Sequence, residues 1–533
     1  MRLVSVRQMI ELEKQAVQTG LSYEQMMANA GKGLADWVHG RFAASSKKRI
    51  LGLVGPGNNG GDTLIALTNL SNMGWNAKAF LVKERDSREK IISDFLRSGG
   101  SVCSFSADLN FSKLKDWLED TDIILDGVLG TGTKLPLRGD ANEILSFIKN
   151  RITPAIMIAV DCPSGVDCDS GDSADVCIRA DHTICMAAVK QGLLHFPAFQ
   201  YAGELDVIDI GLPENLPGWK EIRGEIITSE WVNSLLPERP LDGHKGTFGT
   251  CLVIAGSTPY CGAVLLTCEA AYRAGAGLVQ AAVTQEVYNS VAGHAPETIW
   301  LILPDEDGAI SKASAPILID QLDQKSVVVL GPGWGISEST SQFLKIFLTQ
   351  PGGNNPRSDS DEEVENFKDC LPPLVIDADA LKLLANIPGW SQRIPTGSVL
   401  TPHPGEMSVL TGKSIESIQK NRLNMAVQYA REWGQSVILK GACTIIANPS
   451  GDFAVVPLAT PALSTAGTGD ILAGMIGGLM AQGVQGFQAA CAAAWLHARA
   501  GILAAEHLGS DRSVLARDVL ENLKFVFKEN TGQ

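Results

Sequence analysis

The feature that most constrains the fold is an alternation, found twice along the chain, of short apolar runs with stretches of helical periodicity. In the first half the apolar runs are Ile50 to Val54, Ala79 to Val82, Ile123 to Leu125 and Ile156 to Val160. In the second half they are Val279 to Val283, Val327 to Leu330, Leu374 to Asp377 and Val437 to Lys440. Because parallel strands are buried on both faces and are joined by helical crossovers, this rhythm predicts α/β domains built on parallel sheets.

A stretch without regular periodicity separates the two halves. It lies between Gly211 and Gly246, and the residues that interrupt it are Pro213, Pro217, Gly218, Pro237 and Pro240. Clusters of proline and glycine favour turns and connectors over strands or helices. We therefore place the domain boundary near residue 220, which gives domains 1–220 and 221–533.

Two segments depart from this rhythm. The first forty residues carry apolar side chains at helical spacing, and they predict two helices before any strand. Residues 351–366 are polar, acidic and without periodicity, which is typical of a mobile surface insertion. The sequence leaves the role of this insertion open.

Charge and composition narrow the functional classes. The chain has 533 residues, of which 45% are hydrophobic and 19% charged, as expected for a soluble protein of several domains. Its 44 basic and 59 acidic residues give a net charge of −15, and there is no basic run, so nucleic acid is not an expected partner. The sequence shows neither a signal peptide nor a lipid-spanning apolar run, so we expect a cytoplasmic protein without a membrane partner.

A glycine turn near the C-terminus predicts chemistry on phosphate. Residues 464–470 read S-T-A-G-T-G-D and lead directly into an apolar helical stretch. Glycines let backbone N–H groups converge on a phosphate, and the start of a helix adds partial positive charge. Asp470 can accept the proton of an attacking hydroxyl. The alternative, from these residues alone, is a tight turn that Asp470 merely caps.

Three predicted strand ends in the first half carry polar residues. The segment Gly55 to Asp62 follows one strand, Asp126 ends a second, and Asp161 ends a third shortly before Ser164. Ligands bind beyond the carboxyl ends of parallel strands, so these residues are expected to converge. Asn59, Asp126 and Ser164 offer hard oxygen ligands that suit potassium, sodium or magnesium. The alternative is that each aspartate only caps the turn that follows it.

Together, the segments G-P-G-N-N-G-G-D, D-G-V-L-G-T-G and V-D-C-P-S-G resemble the NAD(P)H-hydrate epimerase domain, over about residues 1 to 215. The resemblance implies a Rossmann-like three-layer domain that interconverts the R and S forms of NADH or NADPH hydrated at nicotinamide C6. It also implies dimerising N-terminal helices and a potassium ion held by Asn59, Asp126 and Ser164. The implied substrate-binding residues are Asn58, Asn59, Gly60, Gly61, Asp62, Gly130, Thr131, Gly132, Thr133, Lys134, Leu135, Pro136 and Asp161.

Epimerisation at C6 needs a group that moves a proton. The ring nitrogen can expel the C6 hydroxyl as water, and water that returns from the other face inverts the centre. A carboxylate must deliver and retrieve the proton, so we assign Asp161 as the acid–base group and keep Asp62 as a second choice.

A second set of motifs resembles the ribokinase-like superfamily, and within it the NAD(P)H-hydrate dehydratases, over about residues 225 to 525. The motifs are H-K-G at 244–246, G-S at 256–257, G-P-G at 331–333, T-P-H-P-G-E at 401–406, K-G at 440–441 and the glycine turn. The resemblance implies an α/β/α domain with the hydrate at Ala263, Gly333, His403 and Asp470. It implies the adenine nucleotide at Lys440, Gly441, Ala442, Cys443, Thr444 and Gly469. From the residues alone, His403 could be a satisfied loop histidine and Lys440 a surface charge.

Phosphorylation can lead to dehydration, because phosphate is a better leaving group than hydroxide. The lone pair of the ring nitrogen can then expel phosphate from C6. We assign Asp470 as the base that deprotonates this hydroxyl, with magnesium bridging the donor phosphates. The resemblance to fused two-domain members implies ADP as the donor, AMP and phosphate as products, and a homo-oligomer. The substrates would be the hydrates NADHX and NADPHX.

Two other functions remain open at this level. One is a hydroxymethylpyrimidine-type kinase of the same superfamily fused to a nucleotide-binding module, and the other is a first domain that only binds or scaffolds. The sequence also leaves open the preference between the two hydrates, the choice between ADP and ATP, the oligomeric state and the transfer of epimer between domains.

Overall fold

The computed structural model describes residues 1–44, 48–86, 89–151, 154–349 and 371–531. The acidic insertion expected at 351–366 lies outside these ranges. The chain divides into two compact units, Met1–Gly224 and Glu225–Gln533. No helix in the described ranges is both long and apolar enough to cross a lipid bilayer.

The first unit is built on a sheet of seven strands that pair in parallel, in the order β4-β3-β2-β5-β6-β7-β9, with β1 and β8 forming a separate parallel pair. The strands are β1 (Arg2–Val4), β2 (Arg49–Val54), β3 (Asn76–Leu81), β4 (Ser101–Ser104), β5 (Ile123–Gly127), β6 (Ile156–Val160), β7 (His182–Met186), β8 (Val189–Lys190) and β9 (Glu204–Ile208). The helices are α1 (Val6–Gln18), α2 (Tyr23–Phe42), α3 (Asn58–Asn72), α4 (Lys90–Arg97), α5 (Ser112–Glu119), α6 (Asp140–Lys149) and α7 (Phe199–Ala202).

Alternate side chains of β2 are buried on opposite faces of this sheet. Ile50 and Val54 belong to one apolar cluster, with α2 and α3, whereas Leu51 and Leu53 belong to another, with α5 and α6. Because side chains alternate along a strand, the sheet is covered on both sides, which makes a three-layer domain.

One prediction for this unit is wrong. Two helices were expected before any strand, but the strand Arg2–Val4 comes first and pairs in parallel with Val189–Lys190. Leu3 and Val4 are buried, and three residues are too few for their periodicity to be recognised in a sequence.

The second unit contains a larger mixed sheet whose order is β13-β12-β11-β16-β17-β18-β19-β20-β21. Its strands pair in parallel as far as β19, and the last two pairings are antiparallel. The strands of the second half are β10 (Gly224–Ile226), β11 (Thr250–Ile254), β12 (Leu278–Thr284), β13 (Ile299–Leu303), β14 (Asp305–Glu306), β15 (Ala309–Ile310), β16 (Val327–Leu330), β17 (Leu374–Ile376), β18 (Val399–Leu400), β19 (Ser436–Leu439), β20 (Ile445–Ala447) and β21 (Phe453–Val455).

The helices of the second unit are α8 (Ser229–Leu235), α9 (Gly262–Arg273), α10 (Gln285–Val291), α11 (Ser314–Ile319), α12 (Glu338–Phe347), α13 (Ala378–Leu384), α14 (Pro404–Thr411), α15 (Ile415–Lys420), α16 (Arg422–Trp433), α17 (Thr468–Ala481), α18 (Gly486–Leu508) and α19 (Ala516–Thr531). All eight apolar runs singled out in the sequence form strands, and the predicted α/β class is confirmed for both units.

Helix α17 approaches its neighbours unusually closely. A Cβ at Gly474 would lie 2.2 Å from the Thr267 carbonyl oxygen of α9, and one at Gly478 would lie 2.4 Å from that of Ala271. On another side, a Cβ at Gly477 would lie 2.6 Å from Val329 of β16. The absence of side chains at these glycines lets α17 pack directly on the helix and the sheet, which fixes where its first turn lies.

Candidate active sites

A cavity of about 800 Å³ opens at the carboxyl end of the first sheet, between its loops and the helices α1 and α2. Asp161 lies at its wall, at the end of β6. The structure brings eight of the predicted epimerase residues to this lining, namely Asn58, Asn59, Asp62, Gly130, Thr131, Gly132, Thr133 and Asp161.

Five other predicted residues do not line this cavity. A Cβ at Gly60 would lie 2.0 Å from the Gly55 carbonyl oxygen, and one at Gly61 would lie 2.7 Å from the Met27 sulfur. These two glycines are therefore needed for close packing of the first turn of α3. Lys134, Leu135 and Pro136 continue the loop beyond Thr133, and Lys134 and Pro136 are exposed.

Three predicted cation ligands form a buried polar cluster beside the cavity. The Ser164 hydroxyl donates to Asp126 Oδ1 at 2.5 Å, and the Ser164 amide donates to Oδ2 at 2.8 Å. Asn59 donates its Nδ2 to the Leu129 carbonyl at 2.8 Å, whereas its Oδ1 is buried without a hydrogen-bond partner among the described residues. A buried oxygen of this kind is costly unless something binds it. The cluster therefore fits a hard cation held by oxygen atoms.

Asp161 is held in an uncommon conformation. Its φ is 65°, in the left-handed region that few side chains other than Asp and Asn adopt. Its amide donates to the Ile184 carbonyl at 2.8 Å, and its Oδ1 accepts from the Met186 amide at 2.9 Å and from Lys190 Nζ. These contacts on both sides of the residue keep the carboxylate at the cavity wall.

Asp62 differs from Asp161 in its electrostatic surroundings. Burial, followed by the nearby charges of Asp161 and Glu13, raises the pKa of Asp62 well above its ordinary value, against the opposing effect of Lys190. Burial also raises the pKa of Glu13. The same cavity thus holds one carboxylate paired with a cation and one carboxyl group that favours its protonated form.

In the second unit, the glycine turn forms the start of α17. Gly467 has a φ of 93°, and the helix begins at Thr468, whose hydroxyl donates to the Leu463 and Thr465 carbonyls at 2.9 Å each. A Cβ at Gly469 would lie 3.7 Å from Lys440 Nζ. The Thr468 amide makes a long hydrogen bond of 3.4 Å to the Thr465 carbonyl. Backbone amides at a helix start next to an ammonium group are suited to binding phosphate oxygens.

Lys440 lies in a cluster of acidic groups. Its Nζ donates to Asp377 Oδ1 at 2.7 Å and lies 3.7 Å from Glu406 Oε2. Asp377 is buried and also accepts from the Thr401 hydroxyl at 2.6 Å. Burial alone would lower the pKa of Lys440, but the charges of Asp377 and Glu406 together outweigh it and raise that pKa. Lys440 is therefore a stable cation beside the glycine turn.

Asp470, in the first turn of α17, has a strongly perturbed acidity. Burial is the largest cause, followed by the negative charge of Asp377, and together they raise its pKa to about 7 in spite of Lys440. A general base works best when its pKa lies near the operating pH. The arrangement suits Asp470 to accept a proton from a substrate hydroxyl.

His403 begins helix α14 and acts as its cap. Its Nδ1 accepts from the Gly405 amide at 2.9 Å and the Glu406 amide at 3.2 Å. Burial, and then Lys440, lower the pKa of His403. Because Nδ1 accepts these two hydrogen bonds, the ring proton belongs on Nε2, which lies 3.3 Å from Glu406 Oε1. About half of the side chain is exposed, so it can contact a ligand from this position.

Two predicted hydrate contacts lie against each other. Gly333 has a φ of 66°, and a Cβ there would lie 2.7 Å from Ala263 Cβ. The Ser257 hydroxyl donates to the Gly333 carbonyl at 2.7 Å. Further along this loop, the Gly335 amide donates at 2.9 Å to Asp379, whose charge contributes to the raised pKa of Asp470.

The predicted nucleotide loop, 440–444, turns between β19 and β20. Gly441 has a φ of 138°, and the Arg422 guanidinium fills the space where its side chain would be. Thr444 donates its hydroxyl to the Gly441 carbonyl at 2.7 Å. Cys443 is buried, whereas Gly441 and Ala442 are exposed and can meet a ligand through their backbone.

Three residues with marked roles in these sites were not predicted. Asp377 follows a strand just as Asp126 and Asp161 follow theirs, so the strand-end rule could have found it. Lys190 ends an apolar run and gave no such signal. His497 is buried in α18, where its ring hydrogen-bonds to the Thr468 backbone, burial lowers its pKa to about 4, and its Nε2 has no partner among the described residues.

Comparison with known proteins accounts for both halves of the chain. Residues 251–524 match the family described as NAD(P)H-hydrate dehydratase, and residues 23–192 match the YjeF-related protein N-terminus. The bifunctional NAD(P)H-hydrate repair enzyme of Moorella thermoacetica is 35% identical over 513 residues, which cover 94% of this chain and 92% of that protein. The enzyme of the same name from Escherichia coli K12 is 31% identical over 510 residues, with 95% and 90% coverage.

One similar solved structure is the ADP/ATP-dependent NAD(P)H-hydrate dehydratase from Bacillus subtilis, co-crystallised with ATP and Mg²⁺. It is 30% identical, and the match covers 57% of this chain and 98% of that one with a TM-score of 0.48.

The resemblance drawn from the sequence motifs is confirmed by the relatives that match along almost the whole chain, and neither the kinase nor the scaffolding alternative accounts for them. The chain belongs to the family of bifunctional NAD(P)H-hydrate repair enzymes, which join an epimerase to a nucleotide-dependent dehydratase.

Proposed function

We propose that the cavity of the first unit interconverts the R and S hydrates of NADH and NADPH, and that the second unit dehydrates the S form with ADP as phosphoryl donor. The proposed dehydratase activity rests on Asp470, a carboxyl group with a pKa of about 7 in the first turn of a helix beside Lys440. A base and a site for phosphate therefore lie next to each other. The products are the reduced dinucleotide, AMP and phosphate.

In the epimerase site, the reacting centre is C6, which carries a hydroxyl group next to the ring nitrogen. Loss of water leaves a cationic C=N bond, and water that adds to the other face inverts the centre. Asp161 and Asp62 line the cavity at the carboxyl end of the sheet, and Glu13 and Glu24 line it from the N-terminal helices. We assign Asp161 as the catalytic residue and Asp62 as the second carboxyl group that acts on this centre. The loop 130–136 and the start of α3 contact the dinucleotide.

Asn59, Asp126 and Ser164 would hold a potassium ion. The buried and unpartnered Asn59 Oδ1 supports this proposal, because Asn59 and Ser164 both donate to the Leu129 carbonyl and Ser164 also donates to Asp126. When bound, the ion supplies positive charge that helps to hold the dinucleotide. The protein residues alone carry the proton transfers.

In the dehydratase site, the hydrate lies against Ala263, Gly333 and His403. Asp470 accepts the proton of the C6 hydroxyl while the oxygen of that hydroxyl takes the phosphoryl group from the donor. The amides of residues 467–469 and Lys440 stabilise the phosphoryl oxygens. The ring nitrogen then expels phosphate, and loss of a proton from C5 restores the C5=C6 double bond.

The nucleotide contacts the loop 440–444 and Gly469. In the described ranges, no group of three or more His, Cys, Asp or Glu side chains is arranged to hold a metal ion. The donor phosphates and water would provide most of the oxygen ligands that Mg²⁺ prefers, and the ion would supply positive charge at the phosphate groups.

We also propose that the chain forms a homo-oligomer through its N-terminal helices. Ile10 and Val17 of α1 and Tyr23 of α2 are large apolar side chains that are exposed in the single chain. Apolar side chains grouped on adjacent helices are favoured at interfaces between subunits.

Incubation of the full chain with mixed R and S hydrates and ADP tests the two activities together. Recovery of reduced-nicotinamide absorbance from both epimers is expected. Asp470→Asn should lower this recovery by about 10²- to 10⁴-fold while R and S still exchange, because it removes the base of only one site. Asp161→Asn should leave the R form stranded while the S form is still recovered.

Chromatographic separation of the epimers, without nucleotide, measures the exchange independently of dehydration. Normal dehydration by Asp470→Asn, or normal exchange by Asp161→Asn, would remove the corresponding assignment. Replacement of ADP by ATP in the same assay decides the donor, and faster recovery with ATP would contradict our choice of ADP.

A further inference from the structure

Lys190 is an unusual residue for the interior of the first unit. Its side chain is 1% exposed, although Lys190 is charged and lies at the end of the two-residue strand β8. Burial of an ammonium group is costly unless each of its protons finds an acceptor. Lys190 Nζ donates to three oxygens, namely Asp161 Oδ1, the Met186 carbonyl at 3.2 Å and the Ala188 carbonyl at 3.1 Å. All three donors of the ammonium are therefore used.

These contacts leave the two oxygens of Asp161 in different roles. Oδ1 accepts from both Lys190 and the Met186 amide. Oδ2 has no hydrogen-bond partner among the described residues, and 13% of the Asp161 side chain is exposed at the cavity wall. Oδ2 is thus the atom that a ligand in the cavity can reach.

From this geometry we propose, on the basis of the function assigned above, that Lys190 is a positioning residue of the epimerase site. It holds Oδ1 of Asp161 and turns Oδ2 to the cavity, so that Asp161 stabilises the positive charge that develops on the substrate ring when C6 loses its hydroxyl. A fixed counter-charge of this kind favours a cationic transition state over the neutral hydrate.

The proton for the departing hydroxyl then comes from a different group. Asp62 lines the same cavity and has no hydrogen bond or ion pair among the described residues, and its raised pKa favours the acid form. Asp62 gives its proton to the C6 hydroxyl, the C6–O bond breaks with its electron pair on the departing water, and the nitrogen lone pair forms the N=C6 bond. Water then adds to the other face, that electron pair returns to nitrogen, and the released proton restores Asp62.

Four other titratable groups share the cavity with Asp161. Glu13 and Glu24 come from the N-terminal helices, Asp62 from α3, and Lys190 is the one basic group in the lining as described. Loss of Lys190 therefore removes the only ammonium group of this described lining and leaves Oδ1 of Asp161 without its charged partner.

The test compares Lys190→Met and Lys190→Gln with the wild-type full chain in the R to S exchange assay without nucleotide. We expect kcat to fall by about 10²- to 10³-fold with little change in KM, as for other losses of preorganised charge. Lys190→Gln keeps hydrogen-bond donors without the charge, so a fall of similar size in both variants identifies the charge as the cause.

Lys78→Met is the matched control, because Lys78 also pairs with an aspartate, Asp120, at 3.0 Å, but does not line the cavity. It should exchange the epimers normally. Thermal unfolding followed by circular dichroism reports the integrity of the first unit in each variant. Normal exchange by either Lys190 variant, or a loss that lies in KM while kcat is unchanged, would overturn the inference. If the wild-type chain itself exchanges no epimer, the proposed epimerase function fails instead.

Discussion

At the scale of single residues, both proposed sites share one arrangement, which is a lysine paired with one aspartate near a second aspartate whose pKa is raised. In the first unit the pair is Lys190 with Asp161, and in the second it is Lys440 with Asp377. Burial raises the pKa of the neighbouring Asp62 and Asp470. Carboxyl groups with such different surroundings can carry different roles at one pH.

The pKa of Asp470 predicts the pH dependence of the dehydratase. Asp470 must be ionised to accept a proton, so kcat/KM should rise as the pH increases through about 7. In Asp377→Asn the acid limb should move to lower pH, because the negative charge of Asp377 is one cause of the raised pKa. Initial rates with S hydrate and ADP across this range provide the measurement. Asp452→Asn is a control outside the site, and an acid limb that does not move in Asp377→Asn would contradict the account.

Sequence reasoning found Asp470, Asp161 and Asp126 because each stands where chemistry is expected, at a strand end or a helix start. It could not find Lys190 or assign a role to Asp377. Their roles depend on which oxygen lies within hydrogen-bond distance of which nitrogen, and the partners are 29 and 63 positions apart in the chain. Contacts over such separations are fixed by the folded sheet and leave no local pattern.

At the scale of elements, α1 predicts how copies of the chain associate. Ile10 and Val17 are seven residues apart, so they lie on one face of this helix, and they are 44% and 38% exposed. Val17→Glu should weaken association by about tenfold or more, because it places a charge where apolar surface would be buried. Light scattering over a range of concentrations measures the assembly mass. Glu11→Gln, on the same helix, should have no such effect, and an unchanged mass in Val17→Glu would exclude this face.

The central strands were predictable because they are buried and apolar over several residues. Val327–Leu330 and Ile156–Val160 have the bounds that the sequence indicated. Short strands such as Arg2–Val4 were not predictable. Their strand conformation depends on pairing with a distant segment, and three residues are too few to show a pattern in the sequence. The close approach of α17 to α9 also escaped prediction, since Gly474 and Gly478 read in a sequence as poor helix formers.

At the scale of the whole molecule, each unit contains its own site, and this predicts complementation between two defective chains. Mixed Asp161→Asn and Asp470→Asn chains, given pure R hydrate and ADP, should recover reduced nicotinamide at a rate comparable to that of an equal concentration of wild-type sites. The first variant dehydrates the S hydrate that the second one forms. Recovery is followed by absorbance, with Asp161→Asn alone as the background. A mixture no faster than this background would mean that the epimer must pass within one chain.

The glycines of α17 determine how firmly Asp470, the proposed base, is held. Gly474 is one helical turn from Asp470, about 6 Å along the axis, and its backbone touches the main chain of α9 without any intervening side chain. Main-chain atoms cannot change rotamer, so this contact between the two helices does not change when neighbouring side chains rearrange. The carboxyl group of Asp470 is thereby held by two tightly packed helices. If Asp470 is the base that we propose, substrates of different shape must adapt to its position.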